Sequence, residues 1–68
     1  MLEKRSFSLS GHRTSVALEP EFWAVLERIA ARRAQPVSAL VATLDAAREE
    51  GRPLASALRI FALLDKGI

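Results

Sequence analysis

Arg13, Ser15 and Ala17 stand at alternate positions in "RTSVAL", residues 13–18, a spacing that puts them on one side of an extended chain. Their types suit the edges of base pairs. A guanidinium can bond guanine O6 and N7 together, a serine hydroxyl can serve donors or acceptors, and an alanine methyl can meet that of thymine. The major groove of B-DNA admits a two-stranded ribbon carrying such a row. Triplets of this kind also arise by chance in strands, so the row gains meaning only from its setting.

Other chemistry finds little footing. Asp45, Glu49 and Glu50 are carboxylates on a helical stretch without an acid-base partner. No Ser-His-Asp set, glycine-rich phosphate loop or metal-ligand spacing occurs, and with no cysteine and one histidine neither a disulfide nor a zinc site is expected. The expectation is a protein that is not an enzyme and carries no cofactor and no metal.

The elements that must position the row follow from periodicity. Thr14, Val16 and Leu18 lie on the opposite side of the strand from Arg13, Ser15 and Ala17. Upstream, "SFSLS" alternates too, but with Phe7 and Leu9 at odd numbers where Val16 and Leu18 are even. The phase slips near Ser10-Gly11, which requires a bulge, a turn or a break. Downstream, Pro20 suits a first helical turn, and Phe22, Trp23, Leu26, Ile29 and Ala30 form an apolar stripe. This predicts a helix over 20–34. A second is expected over 37–50, with Val37, Leu40, Val41, Leu44 and Ala47 inward and Gly51 as its stop. A third segment after Pro53 places Leu54, Leu58, Phe61 and Leu64 on one face.

Size then bears on assembly. Chains below roughly 70–80 residues usually need a disulfide, a metal or oligomerisation. Since this chain has 68 residues and no cysteine, oligomerisation remains. If strand 13–18 is alone, its backbone needs a second copy, and two copies make an antiparallel ribbon with Arg13, Ser15 and Ala17 outward twice over. The rival arrangement is a hairpin within one chain, residues 7–9 against 14–16 around Ser10-Gly11, in a small helical protein-interaction module.

The segments "RTSVALE", "PEFWAVLERIAARR" and "VSALVATLDAAR" together resemble the ribbon-helix-helix DNA-binding proteins of the Met repressor and Arc class. "GHRTSVALEPEFW" followed by "LASALRIFALL" resembles a group of short bacterial members. The resemblance implies a mostly α fold: an obligate homodimer in which one short strand pairs antiparallel across subunits, followed by two helices, here with an additional C-terminal helix. It divides the chain into a basic N-terminal arm (1–11), a ribbon-helix-helix domain (12–50) and a C-terminal helical extension (51–68). Double-stranded DNA and a second copy, as a homodimer or as tetramers on DNA, are the implied partners, in a small bacterial transcriptional regulator. Base reading maps onto Arg13, Ser15 and Ala17, with Ala17 short where the family usually has a longer polar side chain. The dimer core maps onto Val16, Leu18, Phe22, Trp23, Leu26, Ile29, Leu40, Val41 and Leu44. The family's phosphate anchor at the second helix maps onto Val37 and Ser38, although Ala34 and Pro36 replace the usual glycine and capping serine.

The net charge of +2 lies wholly in residues 1–13, which makes the arm either a solvated tail or a phosphate contact through Lys4 and Arg5. His12 is a turn residue or a groove-edge contact, and Trp23 a core residue or a partner surface. The stripe at Leu54, Leu58, Phe61 and Leu64 either folds back on the core or binds another protein, as in antitoxins of this fold. No stretch is long enough to span a bilayer and no secretory signal is visible, so a cytoplasmic, nucleoid-associated protein is expected.

Overall fold

The computed structural model describes residues 1–65. Two antiparallel strands, β1 (Glu3–Leu9) and β2 (His12–Leu18), are followed by α1 (Pro20–Arg32), α2 (Val37–Ala46) and α3 (Leu54–Leu64). The strand expected to stand alone is therefore paired within its own chain. Leu9 faces His12, Phe7 faces Thr14, Arg5 faces Val16 and Glu3 faces Leu18.

Ser10 and Gly11 form the two-residue turn, both with positive φ (52° and 82°). Turns of this kind match the right-handed twist of paired strands, and glycine adopts such angles without steric cost. The turn also explains the phase slip. Residues opposite each other in a hairpin share a face, so odd positions of β1 join even positions of β2. Phe7, Leu9, Val16 and Leu18 thus lie on one side, all buried.

Pro20 opens α1 as expected, with the Phe22 amide donating to the Glu19 carbonyl at 2.9 Å. The helix closes through two bonds: the Gln35 amide to the Ala30 carbonyl, and the Ala34 amide to the Ala31 carbonyl, each at 3.0 Å. That pair is a Schellman motif, and it sets Ala34 in the left-handed region at φ 54°. The chain thus ends this helix as a glycine would, with alanine in the glycine position.

The second helix is shorter than its expected span, ending at Ala46 rather than near 50. Residues 47–50 offer no large apolar group to bury, and tertiary packing supplies most helix stability. Instead the Arg48 guanidinium bonds the Asp45 carboxylate and donates to the Arg52 carbonyl at 2.7 Å, holding a turn in which Gly51 takes φ 86°.

The third helix folds back on the others, and Leu58 and Ala62 are fully buried. Leu54, Ala55 and Phe61 pack against the core at its edge. Leu64 does not belong to this face. The four-residue step from Leu58 lands on Ala62, and Leu64 is 76% exposed. The Arg59 guanidinium donates to the Glu19 carboxylate at 2.9 Å, and Arg32 pairs with Asp65 at 2.6 Å, so α3 is tied at its middle and at its C-terminal end. The core joins hairpin to all three helices through Leu18, Trp23, Leu26, Ile29, Leu40, Val41 and Leu58.

Two outcomes follow. Ala34→Gly should stabilise the protein by about 0.5–1 kcal/mol, since relief of left-handed strain outweighs the added chain entropy, readable as a higher urea midpoint. The bond from Arg59, followed by Glu19's own backbone, holds the Glu19 carboxyl below its usual 4.5. The folded state binds this proton less tightly than the unfolded chain. Its contribution is therefore present above the unfolded value and lost as pH falls through the depressed one. Urea melts from about pH 3 to pH 7 should show Glu19→Gln flattening part of the acid-side decline.

Candidate nucleic-acid interface

Because alternate residues point to opposite sides of a strand, burying Phe7, Leu9, Val16 and Leu18 turns a second row outward. That row holds Arg13, Ser15 and Ala17 on β2, facing Ser8, Ser6 and Lys4 on β1 in that order. Two cations, three hydroxyls and a methyl occupy this outer face, and no carboxylate interrupts it. Arg13 donates from Nη1 to Ser8 Oγ at 3.2 Å, and the Ser6 and Ser15 hydroxyls lie 3.0 Å apart. Ala17 is half-buried, with Lys4 exposed directly opposite.

Residues 3–9, read from sequence as part of an arm, are the second strand of this ribbon. The two cations of that segment separate. Lys4 faces outward, whereas Arg5 lies on the inner side over the Trp23 ring, 4.6 Å from its centroid. Arg5 also pairs with Glu3 at 2.6 Å and Glu27 at 2.8 Å, which hold its charge firmly despite partial burial. Arg5 thus has its Nε and Nη1 engaged by carboxylates and lies on the opposite side of the hairpin from Lys4.

What fixes β1 is Trp23. Its indole N–H donates to the Glu3 carbonyl at 2.8 Å, and its ring packs 5.8 Å from that of Phe7. Trp23 is 1% exposed, a core residue rather than a partner surface. His12 sits beside the turn, exposed, opposite Leu9.

At the other expected contact, Pro36 takes the N-cap place of α2 with extended backbone (φ −71°, ψ 157°) and no side-chain cap. Ala39 and Leu40 donate to the Pro36 carbonyl, so the Val37 and Ser38 amides precede the first intrahelical donors. Ser38 is exposed and Val37 half-buried. Of the residues mapped to a dimer core, Val16, Leu18, Trp23, Leu26, Ile29, Leu40 and Val41 are buried within the single chain. Phe22 and Leu44 pack at its margin. Among the described residues no group of side chains could hold a metal ion, and no helix is long and apolar enough to cross a membrane.

Sequence reasoning missed Ser6 and Ser8. The signal was present: two alternating runs separated by a two-residue Ser-Gly turn are a hairpin signature.

The ribbon-helix-helix domain profile matches residues 2–65. The chain belongs to the ribbon-helix-helix domain family. Members of this family are typically DNA-binding regulators. The matched span takes in β1 and α3, beyond the residues 12–50 that carried the resemblance. No curated protein and no solved structure matches the chain. In this ribbon-helix-helix domain, both strands of the observed ribbon come from one chain, the pairing of the rival arrangement.

Trp23→Phe should cost about 1–2 kcal/mol through the lost indole donor. Hydrogen exchange should show protection falling first in residues 3–9; uniform loss across the helices would contradict the pinning role.

Proposed function

We propose that this ribbon-helix-helix protein is a sequence-specific DNA-binding regulator that presents the outer face of its hairpin to the major groove. The observation that carries this reading is the row itself: Arg13, Ser15 and Ala17 outward on β2, flanked by Lys4, Ser6 and Ser8, without an acidic residue. Arg13 reads guanine, the Ser15 hydroxyl reads a donor or acceptor, and the Ala17 methyl meets thymine.

The active unit in this reading is a homodimer joined through β2. A two-residue turn makes Leu9 and His12 a hydrogen-bonded pair, so the alternation directs the backbone groups of Arg13, Ser15 and Ala17 away from β1. That edge accepts the same strand of a second copy, giving a sheet of four strands. With strands about 4.8 Å apart, the outer two lie about 14 Å from each other. The major groove is about 12 Å wide. The two β2 strands therefore enter the groove while each β1 follows a phosphate wall, which brings Lys4 to the backbone. The free amides of Val37 and Ser38, with the Ser38 hydroxyl, add a helix N-terminal phosphate anchor. Phosphate contacts supply most of the affinity and the ribbon the selectivity.

A second reading, a module that binds another protein, draws on Ile60, Leu63 and Leu64. These remain exposed on α3, whereas Leu58 is sealed in the core.

The deciding experiment titrates the protein against the DNA upstream of its own coding sequence, at several salt concentrations, with a scrambled duplex of equal length as competitor. Specific, salt-dependent binding is expected. Arg13→Ala should cost about 1–3 kcal/mol and relax preference at one position per half-site. An Arg13→Ala protein that binds every sequence as tightly as the parent sinks the ribbon assignment, and absence of binding even at low salt sinks the DNA reading.

A further inference from the structure

We infer that β1 is a positioning strand for the readers on β2: the Ser8 hydroxyl sets the direction of Arg13, and Ser6 does the same for Ser15. This rests on the DNA reading above and adds to it two residues that the single-strand row lacks.

The register places Ser8 directly across from Arg13 and Ser6 directly across from Ser15. Side chains so opposed on one face are about 4.5–5.5 Å apart at Cβ, within reach of a hydroxyl. Both contacts are made, at 3.2 Å from Arg13 Nη1 to Ser8 Oγ and at 3.0 Å between the two serines. Arg13 has no ion pair among the described residues, so Ser8 is the group that restrains it. A guanidinium carries five N–H donors in a rigid fork. Spending one at Nη1 leaves the edge formed by Nε and Nη2 intact, and that edge has the geometry for guanine O6 and N7. The long arginine side chain is then ordered before DNA arrives, so less conformational entropy is lost on binding. The serine pair works in the same way: one hydroxyl proton is committed between them, which fixes the rotor of Ser15 through Ser6.

Ser8 occupies a strand, so a variant must keep strand preference while removing only the hydroxyl. Ser8→Val and Ser8→Thr do this as a pair, because both are β-branched and nearly equal in shape. Discrimination is measured as the ratio of affinities for the target duplex and its scrambled counterpart. Ser8→Val is expected to lower it about two- to tenfold. The salt slope stays at the parental value, because no cationic contact to phosphate is removed. Ser8→Thr should restore discrimination to within about twofold of the parent, and in an Arg13→Ala background Ser8→Val should have no further effect.

The inference is overturned if Ser8→Val discriminates as well as the parent, if Ser8→Thr loses as much as Ser8→Val, or if the Ser8→Val loss persists without Arg13. A parent protein that binds both duplexes equally overturns this inference together with the sequence-specific part of the DNA reading. A discriminating parent with an indifferent Ser8→Val overturns this inference alone.

Discussion

The bond from the Trp23 indole to the Glu3 carbonyl is the constraint on which the arrangement turns. A seven-residue strand in a two-stranded sheet is marginal if it has only its ladder to hold it. Trp23 sits in the first turns of α1, where Pro20 fixes the entry of the helix, and it reaches back across the hairpin to the far strand. Arg5 covers the ring on one side and links it to Glu3 and Glu27, and Phe7 lies against it. Burying an indole requires a partner for its N–H. Meeting that requirement with a β1 carbonyl joins the first residues of the chain to the first helix.

Much of this was legible from residue types. Pro20 and Pro36 mark helix entries, and the stripe through Trp23, Leu26, Ile29 and Ala30 is buried as its spacing requires. The family was legible from the same stretch. What the pattern did not disclose was the partner of β2. Charge drew attention to Lys4 and Arg5 as an arm, while Phe7 and Leu9 carried the strand signal in the opposite phase. A phase reversal reads equally as a break or a turn, and only tertiary packing decides between them. The end of α2 was hidden for a related reason: residues 47–50 are compatible with helix, but nothing there has a surface to bury. Leu64 illustrates the complementary limit, since a stripe with both three- and four-residue steps does not by itself settle which of its apolar members face inward.

The candidate interface was half visible. Arg13, Ser15 and Ala17 emerge from strand alternation alone, because a strand with one buried face must expose the other. Ser6 and Ser8 emerge only once the register is known. Serines in an N-terminal stretch are unremarkable as composition, and their meaning comes from what stands opposite them.

The sealed interior also bears on how the molecule comes into being. Leu18, Leu26, Leu40, Val41 and Leu58 leave no part of themselves to solvent within one chain. Intertwined subunits must meet in order to fold, so their midpoints depend on concentration. Here these side chains are covered by residues of their own chain. In the homodimer proposed above, joining two copies through β2 would add to an interior that is already covered instead of completing one.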